Sequence, residues 1–269
     1  MPLELLEPPS LTATSVEASL QYLEPSPDRP VVSFANEGRG ETNAVFSPRR
    51  VRVLDARGLG ATMNVQGFEL IRHASSVADF EDDDWVKIVG YGEAEQIVQA
   101  ATGARRVHVF DATRRKRSPD SPRQPSVRVH NDYTPASARQ RVRDLLGERA
   151  KQLLQRRIAF INVWRPVNHP AVDWPLALAD ARSVDAADLV PTEIVYPGRV
   201  GEIYSLTYSP RHAWRYYPAL ALNEAILIKC YDARENVARW SPHTAFDNPL
   251  APPGVPPRES IEFRTIAFF

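Results

Sequence analysis

The stretch RIAFINVW, residues 157–164, decides the fold class. It is short, apolar, and rich in β-branched and aromatic side chains, with Pro166 just beyond it. Such a run reads as a strand buried in a sheet. Four more runs of this kind follow: LALADARSV (176–184), VGEIYSLTY (200–208), NEAILIKCYD (223–232) and SIEFRTIAFF (260–269). Pro-containing connections separate them. Several short strands at this spacing, with few long helices between them, predict a sandwich or barrel. A parallel α/β sheet would need helical crossovers that this half of the chain lacks.

Upstream, the pattern is mixed. Residues 51–56 and 105–110 read as strands. A helix is expected over 93–102, with Ile97, Val98 and Ala101 facing inward and Gly103 stopping it. In residues 15–23, Val16, Leu20 and Leu23 fall on one helical face, which predicts a short docked helix. It would sit on an N-terminal arm of residues 1–30, leaving 31–269 as a single domain. Residues 111–126, DATRRKRSPDSPRQPS, carry four consecutive basic residues, Arg114 to Arg117. They read as a solvated loop, or as an electrostatic landing site for an anionic substrate. Residues 125–130 read as a short strand, Val127 and Val129 pointing one way, Arg128 and His130 the other. Thr134-Pro135 then opens a helix, Thr134 as N-cap and Pro135 at its first position. Val142, Leu145, Leu146, Leu153 and Leu154 give that helix its buried stripe.

Composition narrows the function. The 269 residues contain 33 Lys plus Arg and 33 Asp plus Glu, a net charge of zero. That balance argues against binding nucleic acid or an anionic membrane, which calls for excess positive charge. A hydrophobic share of 43% is too high for disorder. Pro outnumbers Gly, 24 to 12, which points to rigid connections between short elements. One cysteine, Cys230, allows no internal disulfide and fits a reducing, cytoplasmic setting. The N-terminus MPLELLEPPS lacks a basic, apolar leader pattern, and no run of 18 apolar residues suggests a membrane helix. There is no G-x-G-x-x-G, which speaks against a Rossmann enzyme.

Six histidines are candidates for chemistry: His73, His108, His130, His169, His212 and His243. Only His130 has a carboxylate two positions on, in His130-Asn131-Asp132. Residues i and i+2 of an extended strand share a face, so both side chains can reach one metal ion. A second His from elsewhere would complete a two-His, one-carboxylate set, which leaves coordination positions open and suits non-haem Fe(II) oxygen chemistry. His108 alternates within a strand, His169 sits in a loop, His212 lies among aromatics as a packed histidine would, and His243 follows the apolar run 225–231. On the last strand Arg258 and Ser260 share a face. Together they form a carboxylate clamp suited to a dicarboxylate such as 2-oxoglutarate, with Arg264 a second candidate anchor. The bland reading of Arg258 is a surface cation paired with Glu259 or Glu262.

An ordered set of motifs carries a family resemblance. It comprises Gln66-Gly67-Phe68-Glu69, residues 107–110 with Asp111, Val129-His130-Asn131-Asp132-Tyr133-Thr134, and Asn162-Val163-Trp164-Arg165-Pro166. It continues with Pro175-Leu176-Ala177-Leu178, Asp180-Ala181-Arg182-Ser183, Asp188-Leu189-Val190, Lys229-Cys230-Tyr231-Asp232, Pro242-His243-Thr244-Ala245-Phe246 and Arg258-Glu259-Ser260-Ile261-Glu262. From about residue 30 onward the chain resembles the AsaB-like hydroxylase/desaturase family, which includes the fungal gibberellin desaturase and CmcJ-like proteins.

The resemblance implies a mainly β protein with flanking helices, a double-stranded β-helix (jelly roll, cupin-like). It implies an Fe(II)/2-oxoglutarate-dependent oxygenase that uses O2 to hydroxylate or desaturate a small natural-product-type molecule. The implied iron ligands are His130, Asp132 and His243, with Arg258 and Ser260 as the co-substrate clamp. Asn162 is a further candidate co-substrate donor, and Tyr133, Arg165 and Tyr204 are candidate substrate contacts. Trp214 and Tyr217 are candidate cavity walls. Cys230 reads as a small buried hydrophobe. Two alternatives stand beside this reading: a non-haem iron oxygenase that uses no 2-oxoglutarate, with Arg258 binding the substrate, or a non-catalytic β-barrel partner of another enzyme.

Overall fold

A computed structural model describes residues 14–34 and 41–269. Fifteen strands form among them. The first seven are β1 (Ser15–Leu23), β2 (Val31–Ser33), β3 (Glu41–Thr42), β4 (Phe46–Asp55), β5 (Phe68–Arg72), β6 (Arg106–Lys116) and β7 (His130–Asn131). The rest are β8 (Ile158–Pro166), β9 (Leu176–Ala179), β10 (Leu189–Tyr196), β11 (Arg199–Leu206), β12 (Trp214–Tyr216), β13 (Glu224–Asp232), β14 (His243–Ala245) and β15 (Glu259–Phe268). Ten of them form one sheet in the order β1-β4-β12-β9-β14-β7-β11-β10-β2-β3. The other five form a second, β5-β13-β8-β15-β6. This is the expected mainly β jelly roll, and all five runs quoted above contain a strand.

The second sheet is covered on both faces, which explains why β8 reads as a near-continuous apolar run. Phe160 and Trp164 point between the sheets, toward Leu176 and Leu178 of β9. Ala159, Ile161 and Val163 point outward and pack under the helix Tyr91–Thr102 through Ala94 and Val98. That helix ends at Gly103, whose φ of 69° is the left-handed stop the sequence predicted. A third cluster lies on the other side of β9, where Ala177 and Ala179 meet Leu20, Tyr22 and Trp214.

Three local expectations are corrected. Residues 15–23 are a strand, not a helix on an arm. β1 pairs antiparallel with β4 from Ser15↔Leu54 to Leu23↔Phe46. Val16, Ala18, Leu20 and Tyr22 are buried in alternation. An i, i+4 spacing such as Val16 and Leu20 satisfies a period of two as well as one of 3.6, and the partner strand decided between them. The basic run is not a loop either, because β6 continues through Lys116, with Lys116 opposite Glu259 and Arg115 opposite Ser260 on β15. Finally, of residues 125–130 only His130 enters a named strand. The remaining prediction at this point holds. Thr134 caps the helix Pro135–Leu146, its hydroxyl accepting from the Ser137 amide at 3.1 Å while Ser137 Oγ accepts from the Thr134 amide at 2.9 Å. The helix stops at Gly147, so Leu153 and Leu154 belong to the segment beyond it.

Candidate metal centre

β7 is short, but it is wedged between β11 and β14, and this places the site. His130 on β7 lies directly opposite His243 on β14 in antiparallel register. Asp132 follows one residue after β7 ends. The ligand atoms of His130, Asp132 and His243 lie within 4.8 Å of one another. His130 Nε2 is 3.5 Å from Asp132 Oδ1.

The backbone sets the orientation of both rings. His130 Nδ1 sits 2.8 Å from the carbonyl of Arg128, and His243 Nδ1 sits 3.0 Å from that of Ser241. A carbonyl only accepts, so each Nδ1 carries the proton and each Nε2 keeps its lone pair for the space they share. Ser241 is in turn placed by Gly67. That glycine has a φ of 87°, and a Cβ there would lie 2.9 Å from both the Trp240 carbonyl oxygen and Ser241 Cβ. The loop can approach the strand-leading segment this closely only with no side chain.

Asp132 is the most constrained of the three. Its Oδ2 accepts from Asn162 Nδ2 at 2.7 Å and stands 3.5 Å from Arg264 Nε. Cys230 Sγ is 3.9 Å away. Burial alone would raise the carboxyl pKa. Arg264, with His130 and His243, outweighs it and holds Asp132 well below the usual carboxylate range. Burial pushes the His243 pKa down, and His130 adds to the effect. Burial also pushes the Cys230 thiol well up, so it stays a neutral packing group rather than a nucleophile.

The donor set fits a ferrous ion. It offers two imidazole nitrogens and the one Asp132 oxygen, Oδ1, that the protein has not already engaged through hydrogen bonds. This is the mixed N/O facial arrangement that suits non-haem Fe(II).

A narrow cavity of about 20 Å3 opens beside the two imidazoles and is also lined by Trp164, Arg115, Glu262 and Arg258. Arg258 is only 2% exposed. Its guanidinium stacks over the Trp164 ring at 5.0 Å, and it donates to the Trp174 carbonyl at 2.8 Å and Ser260 Oγ at 3.2 Å. Among the described residues no carboxylate lies within ion-pair distance of that guanidinium; Glu262 pairs with Arg264 instead, at 3.1 Å. Burial and the neighbouring Arg115 lower the Arg258 pKa to about 9. The surface-pair reading of Arg258 is therefore overturned.

A second cavity, of about 540 Å3, lies on the Asp132 side, and Tyr133 and Arg264 line it. Not every expected contact reaches these spaces. Tyr204 does not line that cavity and packs against Trp240 at 5.8 Å. Arg165 alternates with Trp164 on β8 and so points to the opposite face, donating to the carbonyls of Leu222 and His73. Asn162 meets Asp132 rather than the open cavity. Trp214 and Tyr217 are core, and His212 is the packed histidine expected, held by Tyr22 and Asp188. Sequence reasoning placed Arg115 only within a basic run that could meet an anion, and Glu262 only as a surface partner of Arg258, not as walls of the narrow cavity. Glu262 was readable from the period of two on β15, two residues beyond Ser260. Arg115 was not, because only the β6–β15 register sets it opposite Ser260.

The chain matches the family model described as an oxidoreductase/YMDC permease-like domain over residues 20–268. It is 33% identical over 242 residues to the Fe(II)/2-oxoglutarate-dependent dioxygenase nvfI of Aspergillus novofumigatus, covering 86% of this chain and 87% of that protein. It is 32% identical over 254 residues to the hydroxylase/desaturase CTB9 of Cercospora beticola, covering 83% and 78%. The solved structure of the iron and alpha-ketoglutarate-dependent endoperoxidase NvfI superposes with a TM-score of 0.87 at 31% identity, over 95% of this chain and 98% of that one. The family match, the relatives and the site agree: the chain belongs to the oxidoreductase/YMDC permease-like family and, within it, to the Fe(II)/2-oxoglutarate-dependent dioxygenases of the AsaB-like hydroxylase/desaturase type.

Proposed function

We propose that this protein hydroxylates or desaturates a small natural-product-type molecule, with His130, Asp132 and His243 holding Fe(II) and Arg258 with Ser260 anchoring 2-oxoglutarate. Bound there, the ferrous ion supplies O2 activation coupled to oxidative decarboxylation of the keto acid to succinate. The chain's own residues do the rest. His130 and His243 present neutral Nε2 donors, fixed by the Arg128 and Ser241 carbonyls. Asp132 stays ionised beside Arg264. Two neutral imidazoles and one carboxylate leave a divalent centre with a net charge of about +1, which favours an anionic chelate. Asn162 acts by holding the Asp132 carboxylate rather than by touching the co-substrate. Tyr133, pushed up by burial, keeps its proton and has a hydroxyl to donate at the edge of the larger cavity, where the substrate binds. Catalysis takes place in a reducing, cytoplasmic setting, which fits one buried cysteine. No helix among the described residues is long and apolar enough to cross a membrane.

One observation carries this reading. A fully buried guanidinium, free of any carboxylate partner among the described residues, faces the same cavity as the two imidazoles. A buried unpaired cation is costly unless a ligand supplies its counter-charge. The test is an anaerobic titration with Fe(II) and 2-oxoglutarate. A weak visible charge-transfer band is expected in the native protein and absent in His130→Ala, and aerobic succinate release should require added 2-oxoglutarate. Oxidation of substrate without 2-oxoglutarate would replace this reading with that of a keto-acid-independent iron oxygenase. Failure to bind Fe(II) at all would favour a non-catalytic partner.

A further inference from the structure

The cavity beside Asp132 contains a cation that the protein leaves unanswered. Arg29 at its rim is paired with Glu202 at 2.6 Å. Arg264 is claimed by Asp111 at 3.0 Å, by Glu262 and by Asp132. Arg139, Arg143 and Arg199 also line the cavity, but all three are exposed to water, Arg143 donating to Gln140 Oε1 and Arg199 lying over the Tyr196 ring. Arg141 is half-buried and differs from all of these. It projects from the helix Pro135–Leu146 into the cavity, on the same wall as Ser137 and Asp144, which lie about one turn before and one turn after it. Its guanidinium lies over the Phe110 ring at 5.2 Å from the centroid. Among the described residues it has no ion-pair partner, and its Nε is buried with no hydrogen-bond acceptor.

A guanidinium is always charged, and a buried N–H left without an acceptor carries a desolvation cost. The ring beneath offers its face but accepts no proton from Nε. A water or an acceptor group of a ligand entering the cavity would satisfy it. A planar guanidinium fork matches a planar carboxylate through two parallel charge-assisted bonds, and a single cation balances a single negative charge. Ile194, Val200 and Ile203 line the same cavity and would meet an apolar body.

We propose, resting on the dioxygenase reading above, that the substrate is an apolar molecule bearing a carboxylate, which Arg141 binds while the rest of the molecule lies toward Tyr133 and Asp132. Arg141 then determines specificity and orientation: it fixes one end of the substrate and so selects which carbon is presented to the metal side of the cavity. This guanidinium is distinct from Arg258, which lines the narrow cavity and not this one.

The experiment uses the full chain loaded anaerobically with Fe(II) and saturating 2-oxoglutarate, so that Arg258 is occupied. Adamantane-1-carboxylate and its methyl ester are titrated calorimetrically as matched probes. The acid is expected to bind at least about tenfold more tightly than the ester, the scale of a charge-assisted pair. Arg141→Gln should abolish that preference while leaving 2-oxoglutarate affinity unchanged. Arg141→Lys, which keeps the charge but not the fork, should retain part of it and guards against a folding defect in the first variant. Equal affinity for acid and ester, no binding of the acid, or a preference that persists in Arg141→Gln would each overturn the assignment. An intact Fe(II)/2-oxoglutarate complex with no acid preference sinks the carboxylate assignment alone. Absence of that complex sinks the dioxygenase reading, and the assignment falls with it.

Discussion

His130 and His243 are direct register partners on antiparallel β7 and β14, their ring centroids 4.7 Å apart, although they are remote along the chain. In the proposed site each supplies one of the three metal donors found among the described residues, so neither can be spared. His243→Ala should abolish Fe(II) binding measured by anaerobic titration, while the apo protein still folds with a lowered melting temperature, because a buried ring and its bond to the Ser241 carbonyl are lost. Retained stoichiometric iron would remove His243 from the ligand set.

Asn162 holds Asp132 in place, and its contribution is separable from that of the ligands. Loss of a hydrogen-bonding partner behind a metal ligand typically weakens metal binding by about 10–100-fold. Asn162→Ala should therefore lower Fe(II) affinity by that factor without changing the affinity for 2-oxoglutarate at saturating metal. A selective rise in the 2-oxoglutarate KM instead would return Asn162 to the co-substrate role the sequence first suggested.

Arg258 is expected to act on the keto acid alone. Charge-assisted hydrogen bonds are worth about 1.5–3 kcal/mol, so Arg258→Gln should raise the KM for 2-oxoglutarate by about 10–100-fold. Steady-state kinetics with substrate saturating would report it. An unchanged KM would point to Arg264 or Arg115 as the anchor.

The Asp232 cluster predicts a pH dependence of stability. Arg157 binds this buried carboxylate through Nε at 3.0 Å and Nη2 at 2.7 Å, and Lys229 Nζ lies 3.0 Å away. Burial would raise its pKa, but Arg157 and Lys229 outweigh burial and hold it down. A carboxylate depressed in the folded state contributes stability above its unfolded pKa of about 3.9, and that contribution is lost as pH falls through the lower folded value. Asp232→Asn leaves the buried Lys229 and the half-buried Arg157 without their carboxylate and should cost about 3–5 kcal/mol at neutral pH. It should also flatten the acid limb of a melting-temperature series. A variant as acid-sensitive as the parent would show that other carboxylates set that limb.

Gly67 links backbone conformation to the metal site. Gly67→Ala forces a side chain into the left-handed region and against the Trp240 carbonyl, a strain of about 1–3 kcal/mol. The displaced Ser241 carbonyl orients His243, so thermal stability and Fe(II) affinity should fall together. A loss of stability with full iron affinity would uncouple the loop from the ligand.

The sequence by itself determined the β class, because period and residue type are local. The apolar runs at 157–164 and 223–232, the capped helix at Thr134-Pro135 and the stop at Gly103 needed no distant partner to be read. His130 with Asp132 was legible for the same reason, since two residues on one short extended segment share a face. Only the tertiary structure decided what depends on pairing. Residues 15–23 became a strand because β4 satisfies their backbone. Arg115 left its expected loop because β15 continues the ladder beside it. Whether Arg258 lay at the surface or was buried turned on the Trp164 ring stacking against it and the Trp174 carbonyl accepting from it. Arg165 and Trp164 look equally available in the chain, yet a pleat sends them to opposite faces, and only the packing of the two sheets shows which face holds the chemistry.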